Sequence, residues 1–225
     1  MPATLVMPRP YLVNGYGHQY YRDLKSNGLD LLAYGDWQRR YGRWIVDTLQ
    51  LHRQRVLDVG CACGSMLRGM WQAGAQMHGI DCSEFLIQMG RWIWPELRDR
   101  LFVCDAVNLH CIPNAGYDWL HSCVVAEHWR PALVPYILEE LRRVVKPGGS
   151  FYCAYESESV TMADGRDPAD EPTHLCLKSP AWWEDHLRRS GWQVTSSEWA
   201  AALETHPESL LSDYRWSWFV ARHPP

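Results

Sequence analysis

The sequence predicts an α/β domain built on a mostly parallel sheet, and three observations carry that prediction. Val56-Leu57-Asp58-Val59 is a short run of β-formers that breaks into Gly60-Cys61-Ala62-Cys63-Gly64, after which Met66, Leu67, Met70 and Trp71 share a helix face. Gln76-Met77-His78-Gly79-Ile80-Asp81 then returns as a second strand. Further on, Leu133, Val134, Ile137, Leu138, Leu141 and Val145 recur at helical spacing until Lys146-Pro147-Gly148-Gly149 stops the helix, and Ser150–Tyr155 resumes as a strand. Strands alternating with helices in this way build a parallel sheet.

In chain order, residues 1–35 are rich in Gly, Tyr and Pro, with Tyr11, Tyr16, Tyr20, Tyr21 and Tyr34 ahead of an amphipathic helix. Trp37, Tyr41, Trp44, Ile45 and Thr48 share one face of that helix. The first strand and its Gly-rich turn follow, a unit that brings backbone N–H groups and a helix N-terminus close to a ligand. Asp81 closes the second strand about 20 residues beyond the turn, where a nucleotide-binding α/β unit places a carboxylate for ribose hydroxyls. A nucleoside-containing cofactor is therefore expected. A dinucleotide is disfavoured, because G-x-G-x-x-G is missing and Asp58 would sit near the pyrophosphate. Leu101–Ala106 reads as a third strand ending in an acid, Asp105, and Tyr117 opens a fourth that runs on towards Glu127-His128. Residues 156–180 form an insert whose Asp, Gly and Pro content predicts a loop, and a helix through Trp182, Trp183 and Leu187 follows it. Gln193–Trp199 and Tyr214–Val220 read as the last two strands.

Asp58-Val59-Gly60-Cys61-Ala62-Cys63-Gly64, Asp81, the Asp105 strand end and the Lys-Pro-Gly-Gly stop, in this order, resemble the class I S-adenosylmethionine-dependent methyltransferases. The departure is Ala62 where that family's turn has its middle glycine, a change the turn is expected to tolerate. The resemblance implies a Rossmann-like, seven-stranded, mostly parallel sheet of order 3-2-1-4-5-7-6, with the last strand antiparallel and helices on both faces. It implies an N-terminal lid or cap over residues 1–54 and a cofactor-binding domain over 55–225, with 156–180 on the substrate side. S-adenosyl-L-methionine, leaving as S-adenosyl-L-homocysteine, would lie against Gly60, Cys61, Ala62, Gly64, Cys82 and Ser122. Asp58 would help hold the cationic amino-acid moiety, Asp81 the ribose, and Asp105 with the backbone of Ala106 the adenine. Tyr20 and Trp37 would close on the cofactor from the lid, and Tyr21 and Tyr34 on the substrate. Thr173-His174 ahead of a short apolar stretch and a Trp-bearing helix resembles bacterial small-molecule methyltransferases of sugar or secondary metabolism.

A formal charge of −4 argues against a phosphate-tracking nucleic-acid surface. No apolar run approaches a membrane span, and Met1-Pro2-Ala3-Thr4-Leu5 does not open a signal sequence, so a cytoplasmic location is expected. The 8 cysteines offer no C-x-x-C pair and no zinc spacing, so reduced core thiols and no metal are expected. His128, after the fourth strand, and His174, in the insert, are the candidate catalytic bases. Arg166 and Lys178 on the insert would suit an anionic substrate, or are solvated surface charges. The reading is methyl transfer to a small metabolite, as O-methylation of a hydroxyl or of a carboxylate, phosphate or phosphonate oxygen, by a monomer or homodimer. The alternatives are N-methylation of a small amine or amino sugar, a macromolecule methyltransferase, a Rossmann dehydrogenase, and a non-catalytic cofactor-binding module.

Overall fold

Period-2 alternation sorts the strand side chains onto two faces, and each face buries itself under its own helices. The computed structural model describes residues 31–163, 167, 173–195 and 216–225. Helix α1 spans Leu31–Thr48, followed by β1 Arg55–Val59, α2 Ser65–Gln72, β2 Gln76–Asp81, α3 Glu84–Ile93 and β3 Leu101–Val103. Then come β4 Tyr117–Cys123, α4 Val134–Val144, β5 Val145–Tyr155, α5 Glu158–Ala163, α6 Pro180–Arg189, β6 Gln193–Val194 and β7 Ser217–Arg222. The strands form one sheet of order β3-β2-β1-β4-β5-β7-β6, with β7 antiparallel to both its neighbours and the other pairs parallel. This is the order that the resemblance implies.

Leu57, Val59, Leu120, Phe151, Cys153, Phe219 and Ala221 pack with Ile137, Leu138 and Leu141 of α4 and Trp183 and Leu187 of α6. The intervening residues Val56, Tyr152, Ala154 and Val220 pack on the other face with Tyr41, Trp44 and Ile45 of α1 and Leu67 and Met70 of α2. Two glycines seat α1. A Cβ on Gly42 would lie 2.4 Å from the Met66 carbonyl oxygen, and one on Gly69 only 2.2 Å from that of Arg39. The expected helix face is therefore right: Tyr41, Trp44 and Ile45 are buried, and Trp37 and Thr48 half-buried.

Several boundaries differ from expectation. β5 starts at Val145, so Lys146-Pro147-Gly148-Gly149 is an irregularity inside a strand rather than a turn before one. Its register on β4 jumps from Tyr117↔Val145 to Trp119↔Ser150. The tight fit needs glycine at 149, where a Cβ would come within 2.6 Å of the Asp118 carbonyl oxygen. β3 stops at Val103 because Asp105 turns back to bridge Asn108. β4 ends at Cys123, and the next residue, Val124, takes a φ of 56°, a costly value for a β-branched side chain. The insert contains helix α5 where a loop was expected. β6 is confined to two residues, while Ser196–Trp199 lie outside the described residues. Among the described residues no helix is long and apolar enough to cross a membrane.

Candidate active site

β1 is flanked by β2 on one side and β4 on the other, and chain order runs away from it in both directions. Such a topological switch point opens a crevice at the carboxyl ends of the strands. The turn after β1 supplies one lip. Gly60, Ala62 and Gly64 all take positive φ, at 78°, 47° and 82°. Ala62 thus occupies a left-handed position where glycine would be unstrained. The loop after β4 supplies the other lip and touches the first, since a Cβ on Gly60 would meet Val125 at 2.4 Å.

Asp81 ends β2 beside the turn and braces it. One carboxylate oxygen accepts from the Ala62 N–H at 2.9 Å and the other from the Ser83 N–H at 2.8 Å. Burial raises its pKa against the pull of those two N–H groups, and the nearby Asp58 charge raises it further. Burial and the Asp58 and Asp81 charges also keep Cys61 a thiol, and burial with Asp81 and Asp105 pushes Cys82 up to about 12. Asp105 and Ala106 are half-buried in the loop after β3, where Asp105 accepts from the Val107 N–H at 3.0 Å. The turn, Asp81, Cys82 and the Asp105 loop thus follow adjacent strands at one end of the sheet.

Two of the expected cofactor residues are engaged inside the protein. Asp58 is buried and accepts from His121 Nδ1 at 2.7 Å, a pair formed because the two residues face each other across β1 and β4. The imidazole stacks on Tyr152, whose hydroxyl lies 2.6 Å from that of Tyr41 in α1. Ser122 is fully buried and donates to the Val59 carbonyl at 3.0 Å, pinning β4 to β1. Trp37 stacks on Tyr41 and meets Trp216 edge-on, an aromatic wall on α1. Tyr20, Tyr21 and Arg166 lie outside the described residues, as does the side chain of Tyr34.

His128 and His174, chosen separately from the sequence, come together with ring centroids 4.7 Å apart. The 173–178 segment is stitched to the turn after β4. His128 Nδ1 donates to the Thr173 carbonyl at 3.1 Å, and the Cys176 N–H donates to the Glu127 carbonyl at 2.8 Å. Two acids missed in the sequence complete the group. Glu156, at the exit of β5, approaches His174 Nδ1 at 3.8 Å and accepts from the Thr161 hydroxyl at 2.6 Å. Glu127 is fully buried, and neither of its carboxylate oxygens has a hydrogen-bond partner among the described residues. Burial pushes Glu127 up to about 8, opposed by the backbone N–H groups of Glu127 and Glu156 and helped by the Glu156 charge. The sequence signal for Glu127 was its place beside His128. Glu156 gave none beyond opening the insert. Lys178 is half-buried on the same segment, near Cys176.

Residues 56–149 match the methyltransferase domain family. A biotin biosynthesis bifunctional protein, BioHC, of Cellvibrio japonicus is 35% identical over 118 residues, which make up 51% of this chain and 22% of that protein. A ubiquinone biosynthesis O-methyltransferase of Vibrio cholerae is 29% identical over 112 residues, 49% of this chain and 45% of the relative. The chain spans less than half the length of either. The structure of phosphoethanolamine N-methyltransferase 2 of Haemonchus contortus in complex with S-adenosyl-L-methionine superimposes with a TM-score of 0.54 at 19% identity. It covers 80% of this chain and 52% of that one, and at such identity it bears on the fold alone. Residues 56–149 thus carry a methyltransferase domain, and the sheet order and the glycine turn closed by Asp81 are those that the sequence resemblance implies.

Proposed function

We propose that the chain binds S-adenosylmethionine and transfers its methyl group to an oxygen of a small metabolite. The observation that carries the reading is the Asp81 carboxylate, held by two backbone N–H groups beside a left-handed glycine turn. Each of its oxygens accepts one N–H and retains a lone pair for a ribose hydroxyl. The donor set fits this cofactor, because three acids, Asp58, Asp81 and Asp105, surround the crevice and a nucleoside without phosphate asks for acceptors. Gly60, Cys61, Ala62 and Gly64 would lie along the amino-acid moiety, with the Asp58 charge behind them. Cys82 would lie beside the ribose, and Asp105 and Ala106 at the adenine.

S-adenosylmethionine supplies an electrophilic methyl group on a cationic sulfonium. The protein's own share is alignment, exclusion of water and handling of the acceptor's proton. His174 and His128 assist the loss of that proton, with Glu156 orienting His174. O-methylation is favoured by the polar cluster and by the activity in the name of the Vibrio relative. Residues 1–54 act as a cap, with Trp37 of α1 and Tyr20 on the cofactor and Tyr21 and Tyr34 on the substrate. Lys178 and Arg166 lie on the substrate side, and the working unit is a monomer or homodimer in the cytoplasm.

Calorimetry tests the cofactor assignment. Asp81→Ala should weaken S-adenosylmethionine binding by about 1.5–3 kcal/mol, the worth of a charge-assisted hydrogen bond. Unchanged affinity would remove Asp81 from the site. Binding of NAD in place of S-adenosylmethionine would overturn the reading.

A further inference from the structure

Burying a carboxylate costs several kcal/mol unless a partner compensates it, and buried acids therefore pair with cations, donors or metals. Glu127 has little such compensation: it is wholly buried, only the backbone N–H groups of Glu127 and Glu156 favour its charged form, and neither carboxylate oxygen has a hydrogen-bond partner among the described residues. Beside it stand two imidazoles rather than apolar side chains. One ligand atom each from Glu127, His128 and His174 lies within 4.8 Å of the others. We infer that Glu127, His128 and His174 form a binding site for a divalent first-row transition ion.

The surroundings support this inference independently. A carbonyl oxygen can only accept, so the contact of His128 Nδ1 with the Thr173 carbonyl puts the ring proton on Nδ1 and the lone pair on Nε2. The Glu156 carboxylate stands 3.8 Å from Nδ1 of His174, the side from which a carboxylate would orient a metal-binding imidazole. Metal-binding histidines are oriented in this way, by a carbonyl or carboxylate on the far nitrogen. Two imidazoles and one carboxylate, with no thiolate, suit zinc, cobalt, manganese or ferrous ions. Bonds of about 2.1 Å place tetrahedral ligands about 3.4 Å apart, so a pair at the 4.8 Å limit would have to close by about 1.4 Å. Sequence spacing does not reveal this site, because its ligands come from the β4 exit and the insert, far apart in the chain.

The binding site stands on these residues alone, whereas its role rests on the methyltransferase reading. An acceptor hydroxyl bound to the ion would lose its proton to solvent near neutral pH, with the oxygen retained on the metal. The histidines then act as ligands, and the ion takes over the acidifying role they would otherwise share.

The test is titration of the chelator-stripped chain with Co²⁺ and Zn²⁺, followed by gel filtration, metal analysis and thermal melting. Wild type should retain one equivalent and melt at a higher temperature with the ion. Glu127→Gln, which keeps the side-chain shape, and His174→Ala should each weaken retention at least 10-fold and abolish the melting shift. If His174→Ala fails to fold, Glu127→Gln decides the matter. No retained ion, retention unchanged in these variants, or a cobalt–thiolate absorption band would overturn the site. S-adenosylmethionine calorimetry on the same wild-type sample separates the two readings. Failure there counts against the function, while the metal stoichiometry still decides the site.

Discussion

Gly60 carries a double steric demand, and its neighbour Ala62 carries half of it. A side chain at position 60 would face both a φ of 78° and an overlap with Val125. The left-handed backbone costs about 1–2 kcal/mol for an L residue, and overpacking adds about 1–3 kcal/mol. Gly60→Ala should therefore destabilise the fold by about 2–5 kcal/mol. Ala62→Gly relieves strain at φ 47° but loosens the unfolded chain, so stability should stay level or rise by up to about 1 kcal/mol. Urea denaturation of the two variants checks both expectations, and a neutral Gly60→Ala would count against the contact between the lips. The sequence showed that the turn is Gly-rich and that Ala62 departs from the pattern. It could not show that the departure falls on a left-handed residue. The Asp58–His121 pair was hidden for a related reason, since it depends on β1–β4 register, which no local pattern contains. Glu127 reads in sequence like any surface acid; only folding reveals that it is buried with no hydrogen-bond partner for its carboxylate oxygens among the described residues.

At the scale of elements, α4 fastens the loop that leads from Asp105 to β4. Arg143 donates to both Glu140 oxygens at 2.8 Å, and also to the carbonyls of Leu109 and Ile112. Glu140 in turn accepts from the Leu109 N–H at 2.9 Å. The Arg143 guanidinium holds the Glu140 carboxyl below its ordinary value of 4.5, despite partial burial. The folded state therefore binds fewer protons than the unfolded state in the window between the two pKa values. Its contribution is fully present above the unfolded value and is lost as pH falls through the folded one. Glu140→Gln should cost about 1–2 kcal/mol at neutral pH and flatten the acid limb of a stability–pH profile. An acid limb as steep as wild type would refute this assignment. Asp118 should remain in that limb, because Lys146 and the Arg55 N–H hold it low against the burial that raises it. Helix faces were legible from apolar spacing, as α4 shows, whereas the strand order came only with the family resemblance. Strand ends were not legible, because β3 is cut short by the Asp105–Asn108 bridge and β5 runs through the Gly148–Gly149 irregularity, both tertiary events.

Across the whole molecule, β7 locks the two packed layers together. Phe219 and Ala221 join the core under α4 and α6, while Val220 joins the one under α1 and α2. Phe219 meets Phe151 at 5.4 Å and Tyr155 and Trp183 at 6.0 Å. Phe219→Ala should cost about 3–5 kcal/mol and shift one cooperative transition, with tryptophan fluorescence and far-UV signals moving together. Separate transitions would mean that the layers unfold independently. The place of β7 also imposes an order of assembly during synthesis. β5 and β6 leave the ribosome earlier, yet they never touch, because the partner that belongs between them comes later in the chain. Until residues 217–222 emerge, the hydrogen-bonding edge of β5 along Ser150–Tyr155 stays open, backed by apolar side chains. Such an edge pairs readily with a neighbouring nascent chain. In the cell the yield of this protein should therefore depend on how well a chaperone shields that edge until β7 arrives.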